Sequence, residues 1–273
     1  QFADSRVSAR NSLAQTESIL NSVSDSVTRA KTLMVQASSD TLSDVDRQSV
    51  ASELRGVYES VIGQANATDG NGTHLFGGYK DSSEPFIRQS DGTVKYEGDE
   101  NAREQRIDSS RLMKVAENGK TIFQSAPSGS GIIAEADSDN DGSVTFDGPR
   151  IDDAESLKKG EKYDIELKAD GSLKVTDSTN TIVASELPGS IQEDESTQIS
   201  FDGISIDLRG APPSTGTDVI EVGSADQINT NLFETFEKAL NVLENPADTD
   251  AKEAALDNTL KTVMREFDNS LDN

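Results

Sequence analysis

The 273-residue chain contains no cysteine and no tryptophan, and its only histidine is His74. Without cysteine there is no disulfide, no thiolate metal site and no cysteine nucleophile. His74 stands alone in a glycine-rich stretch, so neither an HExxH zinc site nor a Ser-His-Asp triad can form within one chain. These absences remove the commonest metal-dependent and nucleophilic enzymes and favour a chain that is not an enzyme and has no cofactor.

Basic residues are also scarce. The chain has 25 lysines and arginines against 50 aspartates and glutamates, a formal net charge of −25. That charge repels a phosphate backbone and an anionic lipid surface, so the composition argues against nucleic-acid and membrane partners. We interpret the acidic residues as a solvated surface that keeps the subunit soluble.

Long hydrophobic runs are missing as well. Hydrophobic residues make up 33 % of the chain and aromatic residues only 5 %. No run approaches the ~18 residues of a membrane span, and none resembles the apolar core of a signal peptide. Such a composition suits an elongated molecule with narrow apolar seams. Because the chain opens at Gln1 without methionine, we expect its terminal segments to have been trimmed, together with any targeting signal they carried.

The first 39 residues predict one long helix. From Phe2 to about Ser39 there is neither glycine nor proline. Apolar residues recur alternately three and four positions apart, which is a heptad pattern and indicates one narrow buried stripe. The stripe contains Leu13, Leu20, Val23, Val27, Ala30 and Met34. At ~1.5 Å per residue the helix would exceed ~50 Å, and it needs partner helices to cover its stripe.

Three further helices are predicted. Ser43 and Asp46 resemble a capping box before a helix that should fade near Ala65. A second capping box, Ser224 with Gln227, precedes a helix that Asn245-Pro246 breaks, and a last helix follows. The apolar positions of these helices are Leu54, Val57 and Val61, then Leu232, Phe236 and Leu240, then Leu256, Leu260, Val263 and Phe267.

The middle of the chain alternates polar and apolar residues and predicts antiparallel β-structure. Asp170-Gly171 and Asp202-Gly203 each separate two alternating runs, which is typical of a hairpin. A weaker hairpin signal lies at Asp91-Gly92. We therefore predict an α+β fold: an elongated antiparallel helical bundle formed by both chain ends, with an inserted β-rich domain. The predicted domains are 1–75 plus 223–273 for the helical rod, 76–122 for a β-hairpin region attached to the rod, and 123–222 for a β-rich outer domain.

One acidic loop resembles half of a calcium site. Asp137, Asp139 and Asp141 precede Gly142, as at positions 1, 3 and 5 of an EF-hand loop. The twelfth position holds Gly148 in place of a bidentate glutamate, so an acidic turn between strands is the stronger interpretation. An extracellular calcium-stabilised adhesin or surface-layer protein remains the alternative. The pair Asp152-Asp153 could suggest a glycosidase, but with 50 acidic residues chance pairs are abundant.

Two stretches resemble a known family. Residues 65–79, which include Leu75-Phe76-Gly77-Gly78-Tyr79, and the following Pro85-Phe86 are similar to the segment of the flagellar hook-associated protein 3 family where the helical rod turns into a β-hairpin. Residues 199–212 and the helix before Asn245-Pro246 resemble the family's return from its distal β domain. Flagellin, the nearest alternative, lacks the Leu-Phe-Gly-Gly-Tyr run. The likeness is weak across 125–197.

The resemblance implies a structural, flagellin-like protein of the bacterial flagellum, needed for motility. It would be extracellular, secreted by type III export, and placed at the hook-filament junction between hook-associated protein 1 and flagellin. Implied partners are sister subunits in a ring, those two proteins and an export chaperone. The family's axial terminal segments are absent here, so we expect the chain by itself to be monomeric.

Overall fold

The computed structural model of the chain describes residues 1–108, 111–116, 118–120, 123, 131–224, 228 and 231–271. Its long helices are α1 (Phe2–Ala37), α2 (Asp44–Ala65), α3 (Leu232–Glu244) and α4 (Asp250–Leu271). Its strands are β1 (Phe86–Arg88), β2 (Val94–Tyr96), β3 (Arg103–Asp108), β4 (Arg111–Ala116), β5 (Ile132–Ala136), β6 (Thr145–Ile151), β7 (Tyr163–Lys168), β8 (Leu173–Thr176), β9 (Ile182–Glu186), β10 (Ser196–Phe201), β11 (Ile204–Arg209) and β12 (Thr217–Ser224). None of the described helices is long and apolar enough to cross a membrane.

Local sequence signals set most helix ends. The Ser43 side chain accepts a hydrogen bond of 3.1 Å from the Asp46 backbone N–H, which confirms the cap predicted for α2. Helix α3 ends at Glu244, directly before Asn245-Pro246.

The cap predicted for α3 is corrected. Ser224 is the last residue of β12, and Gln227 lies outside the described residues. Helix α3 instead takes Asn231 as its cap, whose side chain accepts from the Glu234 N–H at 3.0 Å. An asparagine side chain can accept hydrogen bonds from the same backbone N–H groups as serine. The observed cap therefore lies seven residues after the predicted one, and the apolar face of the helix is unchanged.

The four helices pack as an antiparallel bundle made from both ends of the chain, as predicted. Arg29 of α1 pairs with Glu53 of α2, and Arg55 of α2 pairs with Glu244 of α3. The rings of Phe236 on α3 and Phe267 on α4 meet at 4.9 Å. Arg55 and Glu244 are 189 positions apart, and the rod core contains residues from both ends of the chain, so the rod requires both termini.

Two small hairpins follow α2. Strands β1 and β2 pair across the predicted Asp91-Gly92 turn, where Gly92 has a φ of 87°. Strands β3 and β4 pair with each other and lie along α1. Both hairpins therefore attach to the rod, in the region between the helices and the larger β domain.

The larger β domain, here called the outer domain, contains strands β5 to β12. One sheet has the order β5-β12-β7-β8-β9 and the other β10-β11-β6, and every pairing in them is antiparallel. Strand β9 lies beside β10 and β5 beside β6, so the two sheets enclose one apolar core. This core is separate from the core of the rod.

Both strong hairpin predictions are confirmed. Asp170-Gly171 joins β7 to β8, and Asp202-Gly203 joins β10 to β11. Asp202 and Gly203 have φ values of 45° and 81°, as a two-residue turn with a left-handed backbone requires. A Cβ atom on Gly203 would lie 2.1 Å from the Asp153 carbonyl oxygen, so only glycine fits there.

Candidate functional site

The predicted seam residues mostly lie inside the bundle. The buried members are Val23, Val27, Ala30, Met34, Leu54, Val61, Phe236, Leu240, Leu260, Val263 and Phe267. They belong to one apolar cluster that joins all four helices. Alanine at position 30 is fully buried, where a larger side chain would separate the helices. The rod is thus closed by packing within the chain.

Five seam residues are only half-buried. They are Leu13, Leu20, Val57, Leu232 and Leu256. Four of them pack on the rim of the rod core. Leu13 lies outside the rod core, on the part of α1 that extends past the end of α2. The nearby Gln15 side chain shows this, because it donates at 2.8 Å to the carbonyl of Thr68, a residue that follows α2 in the chain. Helix α1 also contacts the β3–β4 hairpin.

The aromatic centre of the rod was not predicted. The Tyr58 ring stacks on Phe236 at 5.3 Å, and the rings of Phe86, Phe123 and Phe233 lie 5.1–5.9 Å from one another. Tyr58 follows Leu54 by four residues and Phe233 precedes Phe236 by three, so helical spacing alone could have found these two. Phe123 carries no periodic signal, because it comes from a segment between the hairpins and the outer domain.

A polar pair crosses this centre. The Tyr58 hydroxyl donates to a Glu237 carboxylate oxygen at 2.6 Å, and the Arg88 guanidinium lies 5.6 Å from the centre of the Tyr58 ring. Burial, helped by the neighbouring Glu237, raises the pKa of Tyr58 far above its ordinary value. Burial also raises the pKa of Glu237. The hydrogen bond between the two side chains therefore fixes how α2 and α3 pack.

Helix α4 fastens the outer domain to the rod. Strand β6 is the edge of its sheet, and a neighbouring strand would normally satisfy its outer backbone groups. Buried Asn258 takes that place: its Nδ2 donates to the Val144 carbonyl at 2.9 Å, and its Oδ1 accepts from the Phe146 N–H at 3.1 Å. One amide side chain thus makes the two bonds that a strand residue would make.

The edge of the other sheet is capped by the same helix. The Thr262 hydroxyl donates to the Ala134 carbonyl at 2.7 Å, and the Arg265 guanidinium donates to the Ile132 carbonyl at 2.8 Å. Lys261 donates to the Phe146 carbonyl at 2.8 Å. Since Thr262, Lys261 and Arg265 all point to one end of the outer domain, they set its orientation on the rod together.

A buried charge cluster lies next to these contacts. Glu266 of α4 is 3 % exposed and accepts from the Thr235 hydroxyl at 2.8 Å. The Lys238 ammonium lies 3.2 Å from Glu266 and 2.9 Å from Glu135 of β5. Burial raises the pKa of Glu266, and the charges of Glu266 and Glu135 raise the pKa of Lys238 against the opposing effect of its own burial. The cluster links α3, α4 and β5.

Hydrogen bonds within the chain hold the acidic loop at 137–142. Among the described residues no group of three or more acidic or histidine side chains is placed to hold a metal ion. The N–H groups of Asp141 and Gly142 converge on the buried carboxylate of Asp218 at 2.9 and 2.8 Å. Asp137 accepts from the Asp139 N–H, and Asp141 accepts from the Ser214 hydroxyl. Backbone N–H groups that converge on the Asp218 carboxylate thus hold the loop as a turn, and the weak calcium candidate stays a prediction.

The other chemical candidates are likewise engaged in local structure. The His74 ring nitrogen lies 2.9 Å from the Asn66 carbonyl. Asp153 accepts from Ser156, and this hydrogen bond lowers its pKa. A glycosidase acid needs a raised pKa, so Asp153 does not resemble such an acid.

Comparisons with known proteins agree with this architecture. Residues 1–81 match the family model of the bacterial flagellin N-terminal helical region. The chain is 38 % identical over 128 residues to flagellar hook-associated protein 3 of Salmonella typhimurium, an alignment covering 47 % of this chain and 39 % of that protein. It is 33 % identical over 180 residues to flagellar hook-associated protein 3 of Escherichia coli, covering 66 % and 55 %. The matches thus span about half the length of these curated relatives or less.

Solved structures extend the likeness over nearly the whole chain. The crystal structure of Xanthomonas campestris FlgL superposes with a TM-score of 0.83 at 28 % identity, covering 99 % of this chain and 86 % of that one. The flagellar junction protein FlgL from Legionella pneumophila, at 22 % identity and a TM-score of 0.78, shares the fold over 99 % of this chain and 83 % of its own. The chain is therefore similar to flagellar hook-associated proteins 3 over nearly its whole length, and its first 81 residues match the flagellin N-terminal helical region.

Proposed function

We propose that the chain is a structural component of the bacterial flagellum, an adaptor that joins hook-associated protein 1 on the hook to the flagellin filament. The observation that carries this proposal is the match to FlgL of X. campestris over both the rod and the outer domain. A likeness to the helical region alone would fit flagellin equally well.

The physical organisation supports a mechanical role. The described acidic, histidine and hydroxyl side chains discussed above serve caps, turns and packing contacts. Helix α4 fastens the outer domain to the rod through side-chain hydrogen bonds to strand edges, and we expect these bonds to limit movement of the outer domain on the rod. A stiff subunit transmits force between two different neighbours without deforming, which suits a junction and needs no enzymatic activity.

The proposed arrangement gives each part of the chain a task. The helical rod, 1–75 with 223–273, would pack on sister subunits in a ring and meet hook-associated protein 1 and flagellin at its two ends. The hairpin region, 76–122, would widen the rod, and the outer domain, 123–222, would face outward into the extracellular medium. An export chaperone would hold the chain before secretion. By itself the chain is expected to be monomeric.

Deletion of the gene tests the function. Electron microscopy of the mutant cells should show intact hooks that lack filaments, with flagellin shed into the medium. A plasmid copy should restore the filaments, which controls for effects on neighbouring genes. Normal filaments in the deletion strain would contradict the proposal. Purified protein that polymerises into long filaments without flagellin would instead point to flagellin itself.

A further inference from the structure

One loop of the hairpin region presents an exposed aromatic residue beside a lysine. Tyr79 is 63 % exposed, and Lys80 follows it on the surface. Tyr79 is the most exposed aromatic side chain in the described part of the chain, most of whose other aromatics are buried. It contributes nothing to the rod core, so burial within its own chain does not account for it. We call Tyr79 and Lys80 the knob.

The backbone under the knob is held firmly. The Tyr79 N–H donates to Asp99 Oδ2 at 2.9 Å, and the Asn101 N–H donates to Asp99 Oδ1 at 2.9 Å. Gly78 has a φ of 65°, and a Cβ atom there would lie 2.0 Å from Asp99 Oδ1. These hydrogen bonds lower the pKa of Asp99 against its partial burial, so the carboxylate stays ionised. A rigid, exposed tyrosine loses little conformational entropy on binding, as is typical of interface anchors.

A groove of about 520 Å³ lies where the rod meets the outer domain. Helices α3 and α4 and strand β5 form its walls, and Val242 and Ala255 contribute apolar surface. Its volume falls within the range of about 300–1,000 Å³ that holds compact ligand groups. The groove can therefore receive an aromatic ring together with a neighbouring side chain.

The groove is acidic. Four carboxylates, those of Glu135, Asp137, Glu221 and Glu234, line it together with one ammonium, that of Lys238, which leaves a formal charge of −3. Lys238 already contacts Glu135 and Glu266, and Glu221 pairs with Lys162. Glu234 is exposed and forms no ion pair within the described ranges. Its carboxylate is available to an incoming cation.

Lys80 is such a cation. Most described lysines and arginines of the rod and the hairpin region pair with carboxylates of their own chain. Examples are Arg29, Lys31, Arg55 and Arg88. Lys80 makes no ion pair in the part of the chain that the structure describes. The knob thus offers an apolar ring with a positive charge, and the groove offers apolar walls with a negative rim.

We propose that the Tyr79–Lys80 knob of one subunit inserts into the acidic groove of the next copy of this chain, with Lys80 facing Glu234. The contact joins two different surfaces, so it is heterologous, and repeated around an axis it forms a ring or a helix. This inference rests on the proposed function, since it assumes sister subunits side by side in the flagellum. It assigns the surface through which they touch.

A photo-crosslinking amino acid at position 79 tests the contact. The variant Tyr79→p-benzoylphenylalanine keeps an aromatic side chain and is expressed as the only copy in cells whose flagella are then isolated and irradiated. Mass spectrometry should find dimers of this chain, linked from position 79 to 234–242 or 255–262. The same probe at Val45, which is 72 % exposed on α2, serves as the matched control and should not label the groove.

Charge reversal supplies the second arm. Lys80→Glu should lower the dimer yield about tenfold, which corresponds to about 1.4 kcal/mol. Adding Glu234→Lys should restore most of the yield, whereas Lys159→Glu, an equal charge change at an exposed site on the outer domain, should not alter it. Thermal melting of each purified variant should match that of the parent, which separates a lost contact from a lost fold.

The outcomes are distinguishable. Links from position 79 to other parts of this chain, to flagellin or to a hook-associated protein would overturn the inference, as would a yield that Lys80→Glu leaves unchanged. Filament formation, scored in the same cells, reports separately on the proposed function. Normal filaments with cross-links outside the groove would reject the contact and leave the junction role standing.

Discussion

Replacing Asn258 tests how the outer domain is held on the rod. Asn258→Ala removes both hydrogen bonds to β6 and leaves the Phe146 N–H and the Val144 carbonyl without a partner in a buried position. A buried backbone group that loses its partner costs about 1–3 kcal/mol. Two backbone groups lose their partner, and water can partly replace the missing amide. We therefore expect the free energy of unfolding to fall by about 2–4 kcal/mol.

Urea denaturation measures this loss, and hydrogen exchange locates it. The Phe146 amide should exchange at least about tenfold faster in the variant, since its acceptor is gone and 1.4 kcal/mol corresponds to a factor of ten. Asn21→Ala, at an exposed position of α1, is the control and should change stability by less than about 0.5 kcal/mol. A similarly small change for Asn258→Ala, with unchanged exchange at Phe146, would refute the idea that α4 completes the sheet edge.

Three further predictions follow from the rod core, the buried charge cluster and the acidic loop. Phe236→Ala should destabilise the chain by about 3–5 kcal/mol in urea denaturation, because the ring fills the centre of the bundle. Burial raises the pKa of Glu266 above its ordinary value of 4.5. The stability that protonated Glu266 contributes is therefore fully present below pH 4.5 and declines as the pH rises. The stability of Glu266→Gln relative to the parent should therefore increase as the pH rises above 4.5, and a stability difference independent of pH would contradict this reasoning. A calcium chelator should leave the melting temperature unchanged; a marked drop would revive the calcium site at Asp137.

Regular local patterns determined the elements of this fold. The glycine-free heptads of residues 2–37 could only be a long helix with a narrow stripe, and the Asp-Gly turns at 170 and 202 could only join adjacent antiparallel strands. Each of these features depends on residues within a few positions of one another. The same holds for the cap at Ser43 and the break at Asn245-Pro246.

Contacts between distant residues could not be predicted in this way. The cap of α3 is Asn231, and the acidic loop at 137–142 is hydrogen-bonded to Asp218, nearly 80 residues away. In the sequence Asn258 is one polar residue among several on a helix. In the structure it completes a sheet edge more than 110 residues away. No spacing rule connects such positions.

The amino-acid sequence by itself thus determined the helices, the hairpins, the acidic surface and the resemblance to flagellar proteins, because periodicity, turn chemistry and composition are local properties. Tertiary structure alone decided which seam residues are covered, how α4 sets the outer domain on the rod, and that Tyr79 and the acidic groove remain exposed. Those features depend on which surfaces the chain brings together when it folds, and burial and edge pairing are properties of the assembled surfaces rather than of any one segment.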